Sequence, residues 1–298
     1  MNINSKKILT ASTNYLLVSA LICVSFISNA VTVNKEERKV ILIGIDGVHY
    51  QTLKRLKTPN FDRLYISELF TGGELNTDTE QQTDSGPSWA TILTGVWAKQ
   101  HGIIKNDKSL KSLSPSLFDL INQQYPQAKI TSIIRWHTIY DNLYSDLKFA
   151  KQKIVIKVDD TTAVEQFIQL LEIKPDFAFL HLDDVDHAGH DFGFGEAYDQ
   201  SIINADLMLG KILNAIETNE QIKDKYLVIV TTDHGRNRTG KNHGEQSVSE
   251  RKVFYATNNP YYHAENGLKT PKKPIPQTYI AQSVLHYLGL PMNSVAAQ

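Results

Sequence analysis

The chain has 298 residues and a formal net charge of −1, because 31 basic residues nearly balance 32 acidic ones. This balance excludes a global electrostatic attraction to nucleic acid or to an anionic membrane, so function must come from a local site. The only cysteine, Cys23, excludes an intramolecular disulfide framework.

The first 30 residues have the pattern of a cleavable signal peptide. Lys6 and Lys7 precede the apolar segment YLLVSALICVSFI. Ser28 and Ala30 then supply the small residues of a signal-peptidase site. The apolar segment is shorter than the roughly 20 residues needed to span a bilayer, although an uncleaved anchor is the alternative. We therefore expect an exported protein, periplasmic or secreted, with no stable membrane span after cleavage.

Residues 31–298 alternate β-rich runs with amphipathic stretches, which predicts strand–helix units around a mainly parallel sheet. Strands are predicted, in chain order, in KVILIGIDG, AKITSIIRW, DFAFLHLDD, KYLVIVTTDHG and RKVFYAT. Helices are predicted in TPNFDRLYIS, SWATILTGV, PSLFDLINQQ, TTAVEQFIQLLEI, YDQSIINADLMLGKILNAIE and TYIAQSVLHYLGL. The Pro- and Lys-rich segment KTPKKPIPQ (269–277) is expected to form a surface loop before the last helix.

Three of these strands run into aspartates. Asp46 follows the first, a cluster containing Asp186 follows DFAFLHL, and Asp233 follows KYLVIVTT. Because ligands of open α/β sheets collect at the carboxyl ends of the strands, these carboxylates are candidates for one site.

Histidines accompany two of the three aspartates. Asp186 and His190 are four residues apart in DHAGH, His234 follows Asp233, and His243 lies nearby in NHGE. Mixed nitrogen and carboxylate ligands suit Zn²⁺ or a similar transition ion better than Mg²⁺ or Ca²⁺. Together with Asp46, these residues are enough for two ions. By position, Asp183 or Asp184 are alternatives to Asp186, and the other histidines (His49, His101, His137, His181, His187, His263) are interpreted as structural or surface residues.

Ser85 lies in DSGPSWATILTG, just before Pro87 and an apolar run. By itself this pattern is typical of a serine that caps a helix. Beside a pair of divalent cations, however, a serine at a helix N-terminus becomes a candidate nucleophile. Trp89, one turn further on, is our candidate for a pocket residue that contacts substrate.

The ordered motifs GIDG, DSGPSWATILTG, HGI..N, DHAGH, TTDHG and NHG resemble those of the alkaline phosphatase superfamily, most closely its nucleotide pyrophosphatase/phosphodiesterase branch. The resemblance covers nearly all of residues 31–298. It implies a single catalytic domain over that range, with an alkaline-phosphatase-like fold in which a mainly parallel sheet lies between two helical layers, a three-layer α/β/α sandwich.

The resemblance also implies the role of each residue. One divalent ion, Zn²⁺ or alternatively Mn²⁺, is expected on Asp186, His190 and His243. A second is expected on Asp46, Asp233, His234 and the nucleophile Ser85. Asn106 takes the place of an asparagine that donates a hydrogen bond to a phosphate oxygen.

The nucleophile segment departs from this branch, which has threonine, an aromatic residue and proline where this chain has Ser85, Gly86 and Pro87. The segment also resembles the sulfatase signature, but Trp89 replaces its arginine. We expect hydrolysis of a small phosphate ester through a phosphoserine, with diesters or nucleotide pyrophosphates slightly favoured. No nucleic acid is expected as a partner beyond nucleotides. Alternatives are a phosphomonoesterase, in which Arg135, Arg236, Arg238 or Lys241 would recognise a dianion, a sulfatase, or a noncatalytic metal-binding module.

Overall fold

Seven strands form one sheet in the computed structural model, which describes residues 38–143, 154–156, 158–263 and 275–291. The strands are β1 (Lys39–Ile45), β2 (Tyr65–Phe70), β3 (Ile130–Ile134), β4 (Ile154–Ile156), β5 (Phe177–Leu182), β6 (Tyr226–Thr231) and β7 (Lys252–Thr257). Their order is β2-β7-β6-β1-β5-β3-β4. β7 alone runs in the direction opposite to the other six strands, so the predicted mainly parallel sheet is confirmed.

Helices cover both faces of this sheet. The described helices are α1 (Tyr50–Arg55), α2 (Ser85–Thr94), α3 (Ala98–His101), α4 (Leu117–Gln124), α5 (His137–Leu143), α6 (Asp160–Leu170), α7 (Asp184–Phe192), α8 (Glu196–Thr218), α9 (Val248–Arg251) and α10 (Tyr279–Leu288). Successive side chains of a strand point to opposite faces. Val40 and Leu42 of β1 accordingly pack in one core with α2, α4 and α10, whereas Ile41 and Ile43 pack in the other with α6 and α8. This is the expected three-layer α/β/α sandwich.

The strand order decides where the site forms. β1 lies between β5 and β6 and is parallel to both, so the carboxyl ends of these three strands are direct neighbours. These are the strands that run into the predicted aspartates.

Two predicted elements are wrong. TPNFDRLYIS is not a helix: a short 3₁₀ turn at Phe61–Arg63 leads into β2. Pairing with β7 decides this, since Ser67 and Leu69 are buried while Glu68 forms an ion pair with Lys252. Likewise, the described end of KTPKKPIPQ is not a surface loop, because Ile275 and Gln277 are buried.

The predicted signal peptide, residues 1–30, lies outside the described residues, so its cleavage stays a prediction. Over the described ranges, every helix is too short or too polar to cross a bilayer.

Candidate metal centre and nucleophile

The buried half of the site forms where β1 and β6 end. We use this name for Asp46, Ser85, Asp233 and His234, which are all at most 6% exposed. The Ser85 Oγ atom, at the first position of α2, lies 3.5 Å from Asp46 Oδ1 and 3.2 Å from His234 Nε2. His234 Nε2 is in turn 3.4 Å from Asp46 Oδ1 and 3.3 Å from Asp233 Oδ2. The four predicted residues therefore converge on one point.

The open half consists of Asp186, His190 and His243. Asp186 and His190 lie four residues apart on α7, so they share a helix face, and Asp186 Oδ2 is 3.1 Å from His190 Nε2. His243 comes from the loop after β6, and its Nε2 atom lies 3.1 Å from that of His190. The two halves meet where the rings of His234 and His243 stack with centroids 3.7 Å apart.

The imidazole tautomers suit a cation. His234 Nδ1 lies 2.8 Å from Gly235 O and His243 Nδ1 lies 3.1 Å from Thr83 O. Since a carbonyl oxygen only accepts, Nδ1 carries a proton in each ring, so Nε2 is the nitrogen that presents a lone pair whenever the ring is neutral. Holding the second nitrogen in this way is the usual arrangement of metal-binding histidines.

The carboxylates of the buried half also require a positive charge. Asp233 Oδ1 accepts from Gly47 N at 3.1 Å, but the buried Oδ2 atom has no hydrogen-bond donor in the described structure. Burial and the neighbouring Asp46 carboxylate raise the pKa of Asp233 well above its usual range. Burial is the largest influence on Asp46 and opposes its ionisation, but the hydrogen bond from His181 and the electrostatic attraction of His234 and His181 together lower the pKa of Asp46. An unpartnered carboxylate oxygen facing lone pairs fits a divalent cation.

His190 of the open half and His234 of the buried half have opposite pKa shifts. The hydrogen bond with Asp186 raises the pKa of His190, which is half exposed. Burial and repulsion from His243 lower the pKa of His234 to about 4. His234 is therefore neutral at pH 7 without any cation, whereas His190 holds a proton more tightly than an ordinary histidine.

Trp89 does not line a pocket, which corrects its interpretation as a substrate contact. The side chain is fully buried between the site and Phe179, and its Nε1 atom donates to Asp46 Oδ2 at 2.7 Å. His181, which we interpreted as a structural or surface residue, lies 3.1 Å from the same oxygen and is fully buried. Both side chains hold the carboxylate from beneath, so Oδ1 remains directed at Ser85.

Sequence reasoning also missed Gln277. Its amide donates to Asp233 O at 2.7 Å and to Thr232 O at 3.1 Å, which fixes the loop carrying two site residues. No signal in the sequence indicated this role, because Gln277 ends the segment that we predicted to be a surface loop. Packing against β2 brings it inside, through a bridge between Phe70 and Pro276.

The choice among the DDVD aspartates agrees with the geometry. Asp186 faces His190 and His243, whereas Asp184 forms an ion pair with Arg135. Asp183 is the unexpected one, because it approaches Asp46 and His181 in a further acidic cluster. Burial and the Asp46 charge raise the pKa of Asp183 to about 6.

A cavity of about 230 Å³ opens onto both halves. It is lined by the predicted site residues Asp46, Ser85, Asn106, Asp186, His190 and His243 and by three residues outside that set, Trp136, Asp183 and His187. Asn106 Oδ1 accepts from Gly86 N at 2.7 Å, next to Ser85, so the amide nitrogen remains as a donor. Of the histidines that we interpreted as structural or surface residues, His187 lines this cavity. His49, His101, His137 and His263 do not line it.

None of the four basic residues proposed to recognise a dianion lines this cavity. Arg236 is fully buried, Arg135 pairs with Asp160 and Asp184, and Arg238 and Lys241 are exposed. Within the described residues, the cavity wall carries no lysine or arginine.

Comparison with known proteins identifies the family. Residues 40–264 match the family model described as type I phosphodiesterase / nucleotide pyrophosphatase. The chain belongs to this family. The human family member ectonucleotide pyrophosphatase/phosphodiesterase family member 5 is 24% identical over 245 residues, which cover 75% of this chain and 50% of the relative. The chain thus spans about half the length of that curated relative.

Solved structures share the fold. An inactive variant of murine ectonucleotide pyrophosphatase / phosphodiesterase 5, in complex with AMP, aligns with a TM-score of 0.59 at 16% identity, over 85% of this chain and 96% of its own. A 2-O GAG sulfatase aligns with a TM-score of 0.61 at 11% identity, over 86% of this chain and 71% of its own. At these identities the similarity establishes the fold alone, and activity must be argued from the site.

Proposed function

We propose that this protein is a metal-dependent hydrolase of phosphoric diesters in which Ser85 is the nucleophile. One observation carries the proposal: the Ser85 hydroxyl lies at the meeting point of Asp46 and His234, at the floor of an open cavity. A serine that only capped α2 would need none of these neighbours. Membership of the phosphodiesterase family supports the same reaction class.

Two cations, Zn²⁺ or alternatively Mn²⁺, are expected. Asp46, Asp233 and His234 would hold one beside Ser85, and Asp186, His190 and His243 would hold the other. Once bound, such ions lower the pKa of a hydroxyl and stabilise charge on attacking and departing oxygens.

The chain's own groups then position the reaction. The Ser85 hydroxyl gives its proton to water and its Oγ atom attacks phosphorus in line, so that an Oγ–P bond forms while the P–O bond to the leaving group breaks. The leaving alkoxide takes a proton from water. Water next attacks the phosphoserine from the side of the open half and regenerates the hydroxyl. Trp89 and His181 hold Asp46 throughout, and the Asn106 amide donates to a phosphate oxygen.

The cavity wall supports a preference for diesters. A phosphate monoester carries one more negative charge than a diester, and an extra donor cation would be needed to stabilise it. The wall instead contributes carboxylates and the neutral amide of Asn106. We therefore propose diesters or nucleotide pyrophosphates as substrates. The AMP bound to the murine family member is consistent with nucleotide-like substrates. Export to the periplasm or outside the cell is part of the same proposal.

Steady-state rates on bis-p-nitrophenyl phosphate and p-nitrophenyl phosphate test this function. We expect the larger kcat/KM for the diester. A preference for the monoester of about a hundredfold, or roughly 2.7 kcal/mol in transition-state binding, would overturn it.

A further inference from the structure

Arg236 is a fully buried cation directly behind the open half of the site. It follows two predicted ligands in TTDHGR, and it is among the largest side chains with no exposed surface. A buried guanidinium has a high desolvation cost unless a charge and several acceptors surround it. The groups around Arg236 therefore indicate its role in the site.

The acceptors around Arg236 fix its guanidinium in one orientation. Nη1 donates to Asp186 Oδ1 in a short ion pair, and Nε donates to Gly240 O at 2.5 Å. Nη2 lies 3.4 Å from Lys241 O, and the guanidinium carbon is 5.9 Å from the centre of the Tyr198 ring. The side chain thus cannot swing into the cavity.

Two glycines make room for this arginine. A Cβ atom at Gly189, in the middle of α7, would overlap the guanidinium group itself. A Cβ atom at Gly47 would come within 2.5 Å of Asp186 Oδ1 and 2.7 Å of Arg236 Nη1. The close approach of the guanidinium group therefore explains why a glycine occupies position 189. The helix continues through this position without a turn.

The ion pair divides the Asp186 carboxylate between two tasks. Oδ1 is taken by Arg236, while Oδ2 faces His190 Nε2 at 3.1 Å. Oδ1 lies further from the other imidazole, 3.9 Å from His243 Nε2. One oxygen is thus anchored in the protein and the other is presented to the site.

We propose that Arg236 is a positioning residue that makes Asp186 a one-oxygen ligand of the cation in the open half. The inference rests on the proposed role of Asp186, His190 and His243 in holding that cation. With Oδ1 anchored, the carboxylate neither rotates nor binds through both oxygens, so a coordination position stays available for water or substrate. Partners that orient a ligand in this way typically contribute 10- to 100-fold (an order-of-magnitude range) to metal affinity.

Cobalt substitution tests the role without any turnover assay. Co²⁺ absorbs strongly at visible wavelengths at four-coordinate sites and weakly at six-coordinate ones. Wild-type protein is titrated with Co²⁺ against a competing chelator, and Arg236→Met and Arg236→Lys are titrated in parallel. We expect two sites in each protein, with affinity at one of them about 10- to 100-fold weaker in Arg236→Met and an altered visible spectrum at that site only. The lysine variant keeps the charge without the planar fork, so it should recover only part of the affinity.

Arg251→Met is the matched control, because Arg251 donates to the backbone carbonyls of Thr71 and Gly73 and forms no ion pair within the part of the chain that the structure describes. Its spectrum and both affinities should equal those of wild type. Two wild-type-like cobalt sites in Arg236→Met would overturn the proposal, even if its melting temperature fell. If that variant does not fold, unchanged affinity in Arg236→Lys would overturn it. Wild type that binds two Co²⁺ ions, shows the Arg236 effect and hydrolyses no diester would overturn the proposed function alone.

Discussion

The two halves of the site differ in burial and in what builds them. In the buried half, the side chains of Asp46, Asp233 and His234 are at most 2% exposed and extend from strand ends. In the open half, 42% of the His190 side chain is exposed, and the ligands come from a helix and a loop. The buried half is therefore part of the core, whereas the open half reaches the solvent through His190.

Each half is also held in its own way. Asp46 is held by two ring N–H donors, Trp89 and His181, whereas Asp186 is held by the guanidinium of Arg236. No arginine or lysine pairs with Asp46 in the described structure, which leaves its negative charge for a cation to balance. The guanidinium of Arg236 already balances part of the negative charge of the open half, so the two metal cations would bind in different electrostatic environments.

The largest effect is expected from Ser85→Ala. Removal of the nucleophile should lower kcat by more than about three orders of magnitude, because the remaining groups cannot form the covalent intermediate. Metal content, measured by elemental analysis, should stay near two ions per chain, since three other residues of the buried half remain.

Ser88→Ala is the control for that variant, because Ser88 lies on the same helix and its Oγ hydrogen-bonds Thr71 Oγ1 rather than the site. Loss of metal and fold together in Ser85→Ala would mean that Ser85 is structural. A mass spectrum of the wild-type peptide should show unmodified serine, whereas a formylglycine would point to sulfatase chemistry.

Acidification should weaken metal binding in both halves through different groups. In the metal-free protein, burial and the Asp46 charge raise the pKa of Asp233, and the hydrogen bond with Asp186 raises the pKa of His190. A raised pKa means that a cation competes with a more tightly held proton, so metal affinity falls as pH falls. We expect weaker metal binding at about pH 6 than at about pH 8.

Calorimetry of Zn²⁺ binding in buffers of different ionisation enthalpy measures these protons directly. Binding without proton release would contradict the assigned ligands. Full activity near about pH 4, where ordinary histidines are protonated, would contradict histidine ligation altogether.

Asn106→Ala should lower kcat/KM for a diester by about 10- to 100-fold, which is the effect of losing one donor to a phosphate oxygen. Asn106→Asp separates the two roles of the side chain. It keeps an acceptor for Gly86 N but places a negative charge near phosphate. Aspartate should therefore be no better than alanine in rate, and wild-type rates in either variant would remove Asn106 from the mechanism.

The smallest expected effect is a difference in the free energy of unfolding between a variant of the buried half and a variant of the open half. In metal-free protein, His234→Ala should lower the free energy of unfolding by about 2–4 kcal/mol, because it opens a cavity in the core. His190→Ala should cost less than about 1 kcal/mol, since the side chain is half exposed and its ion pair is solvent-screened. Urea denaturation measures both values. Equal losses would show that the two halves do not differ in their share of the core.

Much of the fold and site could be predicted from local patterns. The apolar runs of β1, β5 and β6, each followed by an aspartate, indicated a common edge, and the structure brings Asp46, Asp186 and Asp233 together there. The four-residue spacing of Asp186 and His190 needed only helix geometry. Their assignment as metal ligands, and that of Ser85 as nucleophile, stay predictions for the experiments above.

Where sequence reasoning was wrong, a partner distant in the chain had decided the outcome. Tyr65–Phe70 is a strand because β7 pairs with it, and Trp89 is buried against Phe179 with its Nε1 hydrogen bonded to Asp46. Trp136, from the segment after β3, takes the place at the cavity that we expected for Trp89. Propensity describes a residue's neighbours in the chain, and it contains no information about such partners.

The sequence by itself determined the parallel α/β plan, the aspartates at the strand ends and the family, because periodicity and short motifs are local properties. Only the tertiary structure decided that β6, β1 and β5 are neighbours, that Arg236 lies behind Asp186, and that no lysine or arginine lines the described part of the cavity wall. These features depend on which surfaces the packing brings together and desolvates. Burial and charge pairing act between residues as distant in the chain as Asp46 and His234, so no single segment specifies them.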